Sequence, residues 1–303
     1  IMKVVVVGSK GMLAQDLIPM IAKEHETLSF DKDQVDITDK KSVFDLVGRI
    51  EPDLVINCAA YNQVDQAETN REAAFRVNAY GVQQLALACQ EFGSALCHFS
   101  TDYVFDGKST LPYQPYDQPN PISVYGASKR AGEVFVQSIL NRYYLIRTSS
   151  LYGKGGNNFV YTILRLAKEN EVLRVVQDQM MSPTWTVNLA QGVVKLISSG
   201  NFGVYHLTDR TDPPATAPPA TARHEQAGRH EQAGGGISWF EFAKEILKMK
   251  GIPNEVDPTT SQEFIRPARR PAYSVLDTTL FTLCSGYEPM PWQESLKRFI
   301  DMI

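Results

Sequence analysis

A chain of 303 residues is long enough for one large domain, or two modest ones, around a real core. With 43% hydrophobic and 21% charged residues it has an ordinary globular balance, and a net charge of -4 offers no attraction for nucleic acid or an anionic membrane surface. Its four cysteines (Cys58, Cys89, Cys97 and Cys284) form no C-x-x-C pair and no zinc-like cluster, and the early apolar run at residues 4–7 is only strand-length, so a cytoplasmic protein with reduced thiols, no leader and no membrane span is expected.

The chain opens with Lys3-Val-Val-Val-Val-Gly8, β-branched and apolar on both faces, which predicts a strand inside a parallel sheet. It runs directly into Gly8-Ser-Lys-Gly11-Met-Leu-Ala14 and then a helical pattern at Leu13, Leu17, Ile18, Ile21 and Ala22. Glycines in such a turn let backbone N–H groups approach a pyrophosphate, which the helix N-terminus favours. The spacing is G-x-x-G-x-x-A, and its placement between strand and helix, more than the glycines themselves, points to a dinucleotide. A second strand over residues 27–30 ends at Asp31, about twenty residues beyond the turn, where an acid accepts adenosine ribose hydroxyls. Lys32 beside it could instead meet a 2′-phosphate, so NAD and NADP both stay open. Asp36-Ile-Thr-Asp39 opens the next helix, with Thr38 or Asp39 as its cap. A third strand, Leu54-Val-Ile-Asn57, leads into Cys58-Ala-Ala-Tyr61, small residues that suit either a flat cofactor or a helix packed on a sheet. A single helix over residues 73–89 carries Asn78 in an apolar face; a buried asparagine must find partners, and supporting an active site is one use for it.

Residues 100–129 carry the chemistry. Ser100-Thr101 end an apolar run that reads as a buried strand, so their hydroxyls emerge at the carboxyl edge, where open parallel sheets bind ligands. Tyr125-Gly-Ala-Ser-Lys129 places a phenol and an ammonium one helical turn apart on one face. A phenol with a pKa near ~10 is a poor acid–base group at neutral pH, and a fixed neighbouring cation would draw it toward the working range. The same lysine could hold a ribose hydroxyl. A Tyr-x-x-x-Lys pair alone fits a surface helix equally well; the glycine-rich turn upstream favours the catalytic reading.

Tyr143-Tyr-Leu-Ile-Arg147 is another strand, and the alternation of strands and helices predicts an α/β doubly wound parallel sheet of the Rossmann type. Val172–Val176 reads as a further strand and residues 187–198 as an amphipathic helix, with the polar Gln177-Asp-Gln-Met-Met-Ser-Pro-Thr184 between them lining the site. Past Val204-Tyr-His-Leu207 the alternation weakens. The expected division is a dinucleotide-binding domain over 1–150, with 172–200 returning to it, and a smaller substrate-binding lobe over most of 151–303. Residues 211–236 duplicate PPATA and then RHEQAG, lack hydrophobic periodicity and read as a disordered insertion. His224 and His230 within it do not have metal-ligand spacing, and no metal site is expected. Ser238-Trp-Phe-Glu241 is a capping box ahead of a helix over 242–249.

Together these motifs resemble the extended short-chain dehydrogenase/reductases and, within them, the dTDP-4-dehydrorhamnose reductase family, over nearly the whole chain outside the insertion. The most specific matches are Ser100-Thr-Asp-Tyr-Val-Phe-Asp-Gly107, Val124-Tyr-Gly-Ala-Ser-Lys129 with Gly132-Glu133, and Asn57-Cys-Ala-Ala-Tyr-Asn-Gln-Val-Asp-Gln-Ala-Glu68. Asp178-Gln179 with Ser182-Pro-Thr184, and Arg269-Arg-Pro-Ala-Tyr-Ser-Val-Leu-Asp277, are similar to the family too. The resemblance implies NADP or NAD as cofactor and a nucleotide sugar as substrate, and leaves a homodimer open. It implies that Tyr125 protonates the C4 oxygen as hydride arrives, that Lys129 lowers its pKa and holds the nicotinamide ribose, and that Thr101 hydrogen-bonds the reacting oxygen. Gly8, Gly11, Met12 and Leu13 would cradle the pyrophosphate, Asp36 and Ile37 flank the adenine, and Ala59, Ala60 and Tyr61 the middle of the cofactor. Asp102, Val104, Ser150 and Asn158 would meet the substrate.

Three departures stand out. Ser150 occupies a position where many members have a tryptophan that stacks on the sugar, Asn62 stands for the usual threonine, and Met181 for a common glycine. The leading expectation is C4 reduction of a dTDP-4-keto-6-deoxysugar toward dTDP-L-rhamnose. A nucleotide-sugar epimerase or dehydratase is an alternative that Asp102 keeps alive, and a non-catalytic regulator resembling the methionine adenosyltransferase beta subunit is another. A Ser–His–Asp hydrolase is disfavoured, because there is no G-x-S-x-G turn.

Overall fold

The computed structural model describes residues 1–211 and 235–303. The strands in chain order are β1 (Lys3–Val7), β2 (Glu26–Phe30), β3 (Leu54–Asn57), β4 (Ala95–Thr101), β5 (Tyr143–Thr148), β6 (Leu151–Tyr152), β7 (Val172–Val176), β8 (Met180–Met181), β9 (Thr184–Trp185), β10 (Gly203–His206), β11 (Ile237–Ser238) and β12 (Glu255–Thr259). The first helices are α1 (Met12–Ile21), α2 (Lys40–Ile50), α3 (Val64–Thr69), α4 (Arg71–Phe75), α5 (Val82–Phe92) and α6 (Val124–Ile139). Then come α7 (Phe159–Glu169), α8 (Thr186–Ser199), α9 (Trp239–Lys250), α10 (Thr279–Ser285) and α11 (Trp292–Met302).

Because β1 is apolar on both faces, it can only sit in a sheet covered on both sides, and Val4 to Val7 are all fully buried. It lies within a six-stranded sheet of order β10-β5-β4-β3-β1-β2, every neighbouring pair parallel. The period of two divides the core: Val4 and Val6 pack with α1 and α8, whereas Val5 and Val7 pack with α2, α5 and α6. The strand order reverses between β1 and β3, so a crevice opens at their carboxyl ends, the switch point where such sheets bind ligands.

A second lobe has its own core, in which Phe242, Ile246, Phe299 and Tyr152 gather α7, α9, α11 and β7. The expected return of 172–200 to the first domain splits in two. Helix α8 does pack against α1, on the main sheet. Strand β7 instead pairs with β12 in a separate two-stranded sheet. Its burial alternates, with Leu173 and Val175 inward and Val172 outward, so it has one apolar face and fits a lobe covered on one side. The main sheet gains β10 as its sixth strand.

The expected single helix over 73–89 is interrupted: Arg76–Gly81 is a π-helical segment between α4 and α5. The anticipated Asp39 cap is present, its carboxylate accepting from Lys41 N and Ser42 N, and the Ser238–Glu241 capping box opens α9. The proposed disordered insertion at 211–236 lies outside the described residues except at its edges, where Gly236 N donates to Thr211 Oγ1 at 3.1 Å. Among the described residues no helix is long and apolar enough to cross a membrane.

Candidate active site

The cleft is built from the β1 turn upward. Gly8 has φ +76°, and a Cβ placed on it would lie 2.5 Å from Ala59 N, so only glycine lets the first turn meet the loop after β3. These two loops form one wall of a cavity of about 530 Å³. Gly11, Met12, Leu13, Ala14, Cys58, Ala59 and Ala60 face it. Gly11 precedes α1 as its N-cap, and together these residues present the small, backbone-rich surface that a dinucleotide pyrophosphate needs, so the chain fits an NAD(P) cofactor.

The opposite wall carries the groups expected to react. Thr101 ends β4, and Tyr125 and Lys129 stand one turn apart on α6. Helix α6 starts where Ser123 Oγ accepts from Gly126 N at 3.1 Å. Gly126 is necessary for the approach, since a Cβ there would lie 2.1 Å from Tyr103 O. That close packing sets the Tyr125 phenol beside Thr101, whose hydroxyl acts to lower the phenol's pKa. All three residues line the cavity, with Ser100, Thr148, Ser150, Leu151, Asn157, Phe159 and Trp239.

The electrostatics differ from the sequence expectation at one point. Burial pushes the Tyr125 phenol up to about 12, and the neighbouring Thr101 hydroxyl offsets only part of this. Lys129 is not among the groups that shift the phenol here; its ammonium donates to Phe99 O at 2.6 Å. Burial in turn lowers Lys129 to about 8, opposed by the charge of Glu133 one turn further on. Burial alone would raise the Glu133 carboxyl, but Arg147, donating from Nε and Nη2 at 2.9 Å each, together with Ser100 and Arg130, holds it below the ordinary range. A fully buried ion pair thus stands behind Lys129.

The other expected site residues are placed as follows. Tyr61 is fixed through its backbone by Asn78. Asp31 pairs with Lys10 at 2.9 Å, and this contact holds its carboxyl below the usual range. Asp36 turns its carboxylate to Thr38 N and Oγ1, and Ile37 is buried. Asp102 and Val104 are also buried, away from the cavity. Asp102 accepts three hydroxyls, from Thr101 at 2.9 Å, Ser149 at 2.8 Å and Ser274 at 2.6 Å. Burial raises its carboxyl above the ordinary range despite these bonds. Asn158 is spent as the α7 cap: its side chain accepts from Tyr161 N and donates to Gly153 O, so its neighbour Asn157 faces the cleft instead. Ser150 does line the cleft, with φ +48° where the chain turns sharply from β5 into β6.

Sequence reasoning missed Ser149 and Ser274, which reach Asp102 across 47 and 172 residues and leave no local pattern. It also read Trp239 only as the start of a helix. Among the described residues no His, Cys, Asp and Glu group could hold a metal ion.

A dinucleotide trough at the switch point of a doubly wound parallel sheet, facing a Thr–Tyr–Lys group and closed by a second lobe, defines an extended-type nicotinamide-dependent dehydrogenase/reductase. The sequence pattern of the family described as RmlD substrate binding domain matches residues 2–229 and 216–303, and the chain belongs to that family. It is 36% identical to the spore coat polysaccharide biosynthesis protein SpsK of Bacillus subtilis, over 98% of this chain and 96% of that one. It is also 36% identical to the dTDP-4-dehydrorhamnose reductase of Streptomyces griseus, over 96% and 90% of the two chains. The crystal structure of dTDP-4-dehydrorhamnose reductase from Bacillus anthracis in complex with NADP superposes with a TM-score of 0.88, at 39% identity and 99% coverage of both chains.

Proposed function

We propose that this protein reduces the C4 keto group of a dTDP-4-keto-6-deoxysugar, namely dTDP-4-dehydrorhamnose, using NADPH or NADH, and so forms dTDP-L-rhamnose. The observation that carries the reading is the convergence of Tyr125, Thr101 and Lys129 on the cleft that the β1 turn and the loop after β3 make for a dinucleotide. The cofactor, when bound, supplies the hydride. Gly11, Met12, Ala59 and Ala60 would hold its pyrophosphate and central region.

The remaining chemistry belongs to the side chains. Reduction of a ketone needs one proton on oxygen, and Tyr125 holds one at neutral pH; with its phenol raised to about 12 it is a weak acid, so donation relies on groups that stabilise the phenolate. The Thr101 hydroxyl beside it orients the same oxygen. Lys129, within one turn, would hold a ribose hydroxyl and, moved off Phe99 O, steady the phenolate left behind. Keeping Lys129 charged in this buried position is the work of Glu133. The epimerase or dehydratase alternative is less well supported, because Asp102 is turned inward onto three hydroxyls.

The test is loss of nicotinamide absorbance with dTDP-4-dehydrorhamnose, run with NADH and NADPH in parallel and with Tyr125→Phe as control. Rapid oxidation that the variant loses is the expected result. Cofactor binding without any oxidation would refute the reading and favour a regulatory role.

A further inference from the structure

The substrate side of the cleft has an unusual wall. Phe159 and Trp239 are the first residues of α7 and α9, and both line the cavity. Their ring centroids are 4.5 Å apart and tilted by 53°. Behind them the same cluster holds Phe242, Tyr152 and Trp292, all buried. Phe159 and Trp239 are only half-buried, and the cleft is where they are exposed. The reacting end offers no ring from the second lobe: Ser150 stands there beside Ser149.

We infer that the Phe159–Trp239 pair is the platform on which the pyrimidine base of the nucleotide-sugar substrate stacks. The inference rests on the reading given under Proposed function. A nucleotide sugar whose keto carbon meets Tyr125 has its base at the other end of the molecule. That base is the flat, apolar-faced part of the substrate, and a pair of half-exposed rings is the surface that suits it. Asn157 and Asn62 on the same cleft supply amide groups for the base or phosphate edges. A platform distant from the reacting carbon contributes the same contact before and during hydride transfer, so it acts on binding rather than on the chemical step.

Trp239 reports on this directly. The chain has three tryptophans, and Trp185 and Trp292 are only 6% and 7% exposed. Titration of the full-length protein with thymidine diphosphate should quench its fluorescence saturably, and Trp239→Phe should lose most of that signal while retaining affinity. Trp239→Ala should weaken thymidine diphosphate on the order of tenfold to a hundredfold. The loss should appear in KM more than in kcat, with the NADPH dissociation constant near wild type. Should Trp239→Ala not fold by circular dichroism, Phe159→Leu provides the same comparison. Unchanged thymidine diphosphate affinity in an active, folded variant overturns the platform and leaves the reductase reading intact. Loss confined to NADPH binding also overturns it, placing the rings on the cofactor. A wild-type protein that neither binds thymidine diphosphate nor turns over the keto sugar overturns both.

Discussion

Asn78 grips both polar groups of Tyr61: its Oδ1 accepts from Tyr61 N at 2.8 Å, and its Nδ2 donates to Tyr61 O at 3.0 Å. The same Nδ2 reaches Ser128 Oγ at 3.0 Å on helix α6. One side chain therefore ties the cofactor loop to the helix that carries Tyr125 and Lys129. It can do so because the π turn at Arg76–Gly81 carries it. Asn78→Ala leaves buried backbone groups unpaired and should cost roughly 2–4 kcal/mol in urea unfolding, with weaker NADPH binding. An unchanged unfolding midpoint together with normal NADPH affinity would show that the tie is dispensable.

Tyr125→Phe removes the proposed proton donor but keeps the ring. Turnover should fall at least ~100-fold while NADPH binding stays near wild type. Lys129→Met should lower both rate and cofactor affinity. Normal rate and affinity in Lys129→Met would remove that residue from its role.

The pH profile should follow Lys129. Burial lowers it from 10.5 to about 8, so its ammonium is lost as pH rises through about 8. The kcat/KM of reduction should decline on the alkaline side near that value. Glu133→Gln, removing the charge that supports the ammonium, should move the decline to lower pH. The sign for stability is separate: between about 8 and 10.5 the native state binds fewer protons here than the unfolded chain, so this group's contribution rises with pH across that window.

Asp209 should make the protein more stable in mild acid than at alkaline pH. It is buried, with Asn188 Nδ2 and Trp185 N donating to it at 2.8 and 3.0 Å. Burial raises its carboxyl from 3.8 to about 7 despite these bonds. Between those values the native state binds more protons than the unfolded one. Stability is thus present in full below the unfolded value and lost as pH rises through about 7, by roughly 2–4 kcal/mol. Chemical unfolding at pH 5 and pH 8 should show the difference, and Asp209→Asn should shrink it. An equal difference in the variant would assign the effect elsewhere.

Deleting residues 213–235 should leave turnover and melting temperature close to wild type. The flanks already meet, with Gly236 N on Thr211 Oγ1 at 3.1 Å and Thr211 Oγ1 within 3.2 Å of Ser182 Oγ. A collapse of folding or rate on deletion would make the segment part of the working structure.

Much of the first domain was legible because its signals are local. A β-branched run, two glycines and a helical pattern occupy adjacent residues, and they predict a strand, turn and helix without help from elsewhere. Tyr125 and Lys129 share a helix face by spacing alone. The break at Arg76–Gly81 was not legible, since a single wider turn shifts the helical period too little to show in six residues. Nor was the placement of β7, whose valines suit either sheet: its partner β12 lies more than 80 residues away, and pairing chose between them.

What the sequence determined by itself was the dinucleotide turn, the Thr–Tyr–Lys group and the family, because each is written in short-range spacing of chemically particular residues. Tertiary structure alone decided that Asp102 is turned onto Ser149 and Ser274, off the lining of the cleft, that Lys129 rests on Phe99 O, and that Trp239 shares the cleft with Tyr125. Those outcomes depend on which distant groups arrive to satisfy a buried charge or cover a ring. Burial and pairing are properties of the folded surface, and residue spacing does not contain them.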